Sequence, residues 1–284
     1  MGTFAGHLLP GGFFFAFSFW WVIQMLRRYH NSKLKGKQFR SSATFKCDCL
    51  CGRLKNYEVE GLLKAAACAI GLTGEIVTGF HDGKFAYYGN LQHSIMFTSF
   101  MLAGILDVLR HHKFPVPEEA CYSVMLLSLA IEGILFKYHL HHRNEIDVLI
   151  HTLLVYTIFC NFLAGLAEMR FRNSPLVAIA RAYFTMLQGV WFIAVGFMLY
   201  NPFKEPNWDP ENHDHFMLAT VLFACHILGC ALVILLCNCF IAWKTRRSFH
   251  AETSYRMVQS GELESKGLLD DNENDQVIYM QNGI

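Results

Sequence analysis

Residues 216–243 read FMLATVLFACHILGCALVILLCNCFIAW, twenty-eight positions without one Lys, Arg, Asp or Glu. A helix crosses the roughly 30 Å hydrocarbon core of a bilayer with about 20 residues, so this stretch is long enough to span it. Six more apolar stretches of similar length lie upstream, at 8–26, 59–80, 88–109, 120–138, 148–167 and 176–200. In lipid every backbone polar group needs an internal partner, and nothing shows the alternation of a membrane barrel, so each is read as a helix. The fold class expected is therefore all-α, a seven-transmembrane-helix bundle over residues 1–243.

Composition agrees. Only 17% of the 284 residues are charged, 53% are apolar and 25 are Phe. A soluble domain of this length needs more polar surface than that to cover its core. The net charge of +1 gives no reason to expect a nucleic-acid partner. Turn signals separate the spans at His81-Asp82-Gly83, Phe114-Pro115-Val116-Pro117, Asn173-Ser174-Pro175 and Asn201-Pro202. Gly71, Gly74, Gly104 and Gly196 are expected to let helices approach closely.

Orientation follows from where the basic residues fall. One alternate set of loops holds sixteen Lys and Arg near the membrane, nine of them between Arg27 and Lys55; the other holds three, Lys84, Arg143 and Lys204. The amino terminus is thus expected to be lumenal or outside and the carboxyl terminus cytosolic. The loop 27–58 becomes a cytosolic basic segment able to touch anionic lipid headgroups.

Few ionisable groups belong inside a membrane, so those that occur are candidates for function. On this orientation they gather in the outer half of six spans: His7, Glu75, Gln92 with His93, Glu132 with His139, Asp147 with His151, and His226. Asp147 and His151 are four apart, so the carboxylate can orient the imidazole. Imidazoles and carboxylates from several helices are the donors of a zinc or other first-row metal site. The candidate ligands are His93, His139, His151 and His226, supported by Asp147, Gln92 and His7. Glu132 and Glu75 are candidate catalytic bases for hydrolysis of a lipid entering from the outer leaflet. A polar network that only fixes helix register stays open beside this, as does a transporter, a single haem or a proton relay. Lys64, Asp107, Glu168 and Arg181 lie at the inner ends, where two acids and two bases read as ion pairs rather than a transport path.

The segment 244–284 is polar and ends acidic, and reads as a disordered cytosolic tail. Tyr255 to Val258, and Glu264 to Leu268-Leu269, have the form of sorting signals for cytosolic adaptors; chance matches in a polar segment are the alternative. Cys47, Cys49 and Cys51, with Cys237 and Cys239, lie near the inner membrane face, where lipidation and unmodified thiols are equally good readings.

Together these motifs resemble the transmembrane protein 45 family of multi-pass proteins. The resemblance rests on Gly6-His7-Leu8-Leu9-Pro10-Gly11, Gln92-His93-Ser94, Glu132-Gly133 through Tyr138-His139-Leu140-His141, and Asp147 to His151. It continues in Leu187-Gln188-Gly189-Val190-Trp191, Glu205-Pro206-Asn207-Trp208-Asp209 and Cys225-His226. It implies seven spans and residence in Golgi, endosomal or plasma membrane, and no established catalytic activity. The insert at Cys47–Cys51 and Lys137 depart from the family pattern.

Overall fold

The computed structural model describes residues 3–45, 58–140, 143–203, 208–209 and 212–281; beyond Thr253 it describes the side chain of Tyr255 alone. Cys47, Cys49 and Cys51, and the side chains of Val258, Glu264, Leu268 and Leu269, lie outside the described residues. Seven helices follow in order: α1 Phe4–Leu34, α2 Val59–Gly79, α3 Tyr88–His111, α4 Glu118–Tyr138, α5 Glu145–Arg170, α6 Pro175–Tyr200 and α7 His213–Gln281. Each is long and apolar enough to cross a membrane. The seven-helix all-α reading holds.

Helix ends are set by local chemistry. Thr3 caps α1 by accepting from the Gly6 amide at 3.0 Å, and Asn144 caps α5 by accepting from the Asp147 amide at 2.8 Å. Pro175 opens α6, where its missing N–H costs nothing. Between α2 and α3 a two-residue hairpin pairs β1 (Phe80–His81) with β2 (Lys84–Phe85). Its turn is Asp82-Gly83, both at positive φ, as a tight hairpin turn requires.

Helix α6 is the central element, packed on α1, α5 and α7, while α2 rests on α3 at the periphery. Trp191, Val195, Ala178 and Ala182 on α6 are wholly buried, whereas Leu63, Ile70 and Val77 on α2 face outward. Outward apolar side chains are what a lipid-facing surface needs. Glycines make the closest crossings: a Cβ on Gly189 of α6 would lie 2.5 Å from the Phe15 amide nitrogen and 2.8 Å from the Gly11 carbonyl of α1. Gly61 of α2 and Gly104 of α3 approach in the same way. Of the glycines expected to do this, Gly71 meets Phe97 and Gly196 meets His7, but Gly74 meets nothing.

Two segments differ from the sequence reading. First, α1 does not end at Leu26 but continues to Leu34, and the chain after it folds back beneath the bundle. There Phe39, Ala43 and Phe45 are buried, and the Ser41 amide donates to the Arg172 carbonyl at 2.7 Å. Alternate residues Phe39, Ser41, Ala43 and Phe45 turn inward, burying one face and leaving Arg40 outside. Second, α7 does not stop with the apolar run at Trp243. The backbone stays helical from Lys244 to Gln281, where a disordered tail is expected; no proline interrupts that segment. Among the described residues seven cysteines are free thiols, Cys237 and Cys239 included.

Candidate functional site

Helices that alternate in direction bring α1, α3, α5 and α7 starts and α2, α4 and α6 ends to one end of the bundle. The histidines collect there. His93 donates Nδ1–H to Glu75 Oε1 at 3.1 Å, and His139 donates its own to Gln92 Oε1 at 2.8 Å. Their rings are 5.4 Å apart. His7 donates to the Thr3 carbonyl at 2.9 Å, and His151 to Asp147, with 2.7 Å to the carboxylate and 2.9 Å to the carbonyl. Those rings are 5.8 Å apart. The accepting oxygens fix one tautomer for all four, protonated on Nδ1 with the lone pair on Nε2.

His226 stands apart. It donates to the Leu222 carbonyl at 2.7 Å and lies edge-on to Trp191, 5.5 Å between ring centres. The four candidate ligands are thus divided: His93 with His139, His151 with His7, and His226 alone. Among the described residues no three His, Cys, Asp or Glu side chains are placed to hold a metal ion.

Arg143 ties the pairs together. Its guanidinium donates to both Asp147 oxygens at 3.0 Å and to the His139 carbonyl at 3.2 Å. Burial first, then the Arg143 guanidinium, holds the His139 imidazole down at about 4. It is therefore neutral at ordinary pH. A permanent cation among these rings also disfavours a divalent ion there, since like charges repel strongly where water is scarce.

Glu132 lies deeper, 2% exposed in mid-bundle, with both oxygens accepting from Gln188 Nε2 at 3.0 and 2.9 Å. The Gln188 carbonyl accepts from Asn161 at 3.1 Å, and Thr185 lies 3.2 Å from Asn161 Oδ1. Glu132 precedes His139 by seven residues, about 10 Å along the helix axis, so it serves Gln188 rather than the imidazoles.

The opposite end holds a second polar layer. Glu60 accepts from Trp21 Nε1 at 2.7 Å, from the Phe45 amide at 3.0 Å and from Lys64 at 2.8 Å; Lys64 also donates to Asp107 at 3.1 Å. Glu168 is ion-paired with Arg181 and accepts from the Tyr122 hydroxyl at 3.0 Å. The Arg181 guanidinium lies 4.2 Å over the Trp21 ring. Lys64 with Asp107 and Arg181 with Glu168 are the ion pairs expected from their depth. Glu60, Trp21, Tyr122 and the amide Asn161 escape the sequence reading, and Gln188 enters it only within a family motif, though Glu60 and Lys64 at i and i+4 carry a usable signal.

Residues 118–240 match the model of the Family of unknown function (DUF716). The family resemblance drawn from the motifs stands. This family stretch runs from the start of α4 into α7 and contains Glu132, His139, Asp147, His151, Gln188 and His226. The chain is also 23% identical over 189 residues to transmembrane epididymal protein 1 of Homo sapiens, covering 63% of this chain and 69% of that protein. The Rattus norvegicus protein of the same name is 23% identical over 249 residues, 83% of this chain and 79% of the relative. Transmembrane epididymal protein 1A of Mus musculus is 22% identical over a stretch of the same length. This is an integral, multi-pass membrane protein, and its residues 118–240 are similar to a family of unknown function.

Proposed function

We propose that the protein works without catalysis, as a membrane-embedded scaffold or trafficking factor of the Golgi, endosomal or plasma membrane. On this reading its histidine end faces the lumen and its polar layers fix the helix packing. The observation that carries it is the division of the imidazoles: each is already hydrogen-bonded, in two pairs and one isolated ring, around the fixed cation of Arg143. Paired polar groups in lipid specify register, because a slipped helix would leave them unsatisfied.

Metal analysis of the purified protein tests this. Less than about one ion per five chains is expected, with His93→Ala and His151→Ala lowering thermal stability rather than metal content. Truncation before Tyr255 should redistribute the protein between compartments; unchanged localisation would count against the trafficking role.

One observation favours a zinc-type centre as the second reading. His7, His93, His139 and His151 all present Nε2 as the lone-pair nitrogen, with Nδ1 held by an oxygen, as in metal-ligating histidines. Stoichiometric zinc lost in both His93→Ala and His151→Ala would establish it in place of the scaffold reading. Hydrolysis would then fall to Glu75, which already touches His93, and not to Glu132.

A further inference from the structure

At the end of the bundle away from the histidines, α1, the chain after it and the end of α3 enclose a cleft of about 790 Å³. Pockets of about 300–1,000 Å³ hold small organic ligands. Among the described residues six Lys and Arg side chains line it, with His111 beside them: Arg27 and Arg28 from α1, Lys35 and Lys37 from the following turn, and Arg110 and Lys113 from the end of α3. Arg28 is fixed by donating to the Arg40 carbonyl at 3.0 Å and by lying 4.8 Å over the Phe45 ring. Arg110 is paired with Glu118 at 3.3 Å. Arg27, Lys35, Lys37 and Lys113 have no ion-pair partner among the described residues. The positive-inside rule accounts for basic residues on one side of a membrane. It does not account for their convergence from three separate segments into one concavity.

Two further details point into the cleft. Lys113 sits at φ 62, the left-handed conformation that follows a helix end. Its amide donates to the Arg110 carbonyl at 3.0 Å and that of Phe114 to Leu109 at 3.1 Å, the paired bonds that close a helix and are usually made with glycine there. A lysine in that position carries backbone strain that glycine would not, and strain of this kind collects at ligand sites. Glu58 also lines the cleft at 4% exposure; its Oε2 lies 3.6 Å from His111 Nδ1, and its Oε1 is buried without a hydrogen-bond partner among the described residues. Asp107, the other acid of the wall, shares the single cation of Lys64 with Glu60.

We propose that this cleft binds a small anion bearing two phosphate groups, of the kind a phosphorylated inositol headgroup presents. The four exposed cations without an ion-pair partner among the described residues match about four negative charges, and a phosphate monoester carries about −1.5 to −2. One phosphate is too few and two suffice. Lysines serve as point charges for phosphate oxygens, and the anchored Arg28 adds a planar donor pair. The Glu58 carboxyl, whose other oxygen faces His111, is a further donor once protonated. Helix ends form the walls, so the cleft lies at the level where lipid headgroups sit, whichever way the chain is inserted.

The test uses the full-length protein in phosphatidylcholine nanodiscs. Binding is read as a thermal-stability shift and as an affinity for inositol bisphosphate in solution, for a bisphosphorylated inositol lipid at about 5 mol%, and for phosphatidylserine at equal charge. A shift with both inositol probes assigns a soluble or lipid-borne source equally; a shift with the lipid alone assigns the headgroup. Lys113→Gly relieves the strain, so the unliganded protein should be no less stable while affinity falls about five-fold. Lys35→Gln with Lys37→Gln and Lys113→Gly should weaken binding by about 100-fold, each removed cation contributing a similar factor near a membrane surface. No shift with either inositol probe, an equal response to phosphatidylserine, or unchanged affinity in the triple variant would each overturn the assignment.

Discussion

Glu168 and Arg181 form an ion pair between α5 and α6, each side chain no more than 1% exposed. Glu168→Gln keeps an acceptor for Tyr122 but leaves the guanidinium buried, with the Ser42 carbonyl at 3.4 Å and the Trp21 face as its remaining partners. Breaking one side of a buried pair costs about 3–5 kcal/mol, because the surviving charge is stranded. The Trp21 face offsets up to about 2 kcal/mol of that. A net loss of about 3 kcal/mol follows, which at about 2–4 °C per kcal/mol is a drop of about 6–12 °C in melting temperature. Arg181→Met strands the opposite charge and should cost about as much. The double variant Glu168→Gln with Arg181→Met strands neither, so it should lie within about 2 kcal/mol of wild type rather than at the sum. Thermal melts of the four proteins in one detergent measure the coupling. If the losses simply add, or if either single variant melts within about 3 °C of wild type, the pair does not hold the base of the bundle together.

Three other perturbations follow from particular contacts. Gly189→Ala should cost about 1–3 kcal/mol by forcing α1 and α6 apart, whereas Gly12→Ala, which meets nothing within 4 Å, should gain about 0.5–1 kcal/mol in the same melt; similar melting of the two would show that the crossing is not tight. Burial, with the carboxylates of Glu60 and Asp107 and against Lys64, pushes Glu58 from 4.5 up to about 7. The neutral acid's contribution is complete below about pH 4.5 and lost as pH rises to about 7, so wild type should lose stability relative to Glu58→Gln across that window, His111 and Arg110 being common to both. His139, held down at about 4, should show an imidazole NMR midpoint near that pH and move up in Arg143→Gln. Because its folded value lies below the ordinary 6.5, the stability it contributes is present above 6.5 and lost as pH falls through about 4. A wild-type midpoint above pH 6 would mean that the ring is neither buried nor beside Arg143.

Much of the architecture is legible along the chain because span length is a one-dimensional property. Residues 216–243 declare a crossing helix without reference to any neighbour, and Lys64, Asp107, Glu168 and Arg181 declare ion pairs by their depth. Gly74 and Gly71 look alike in sequence, yet Gly71 lies against the Phe97 ring and Gly74 against nothing. Which face of a helix meets a partner depends on rotation, and α2 packs mainly on α3. The buried stretch Phe39 to Phe45 reads as part of a basic loop because nine Lys and Arg lie between Arg27 and Lys55; it is held in part by Arg172, more than a hundred residues away.

The histidines mark the limit most clearly. Sequence determines that His7, His93, His139, His151 and His226 share one end of the bundle, since helix direction alternates with each span. Their grouping is a matter of helix order and rotation about each axis. Tertiary structure pairs His93 with His139, gives His151 the partner His7, and turns His226 onto Trp191. The same holds at the opposite end, where basic residues counted as a topology signal converge on one cleft only because the chain after α1 folds back toward the end of α3. Depth in a membrane is fixed by hydropathy along the chain, and convergence by packing between helices.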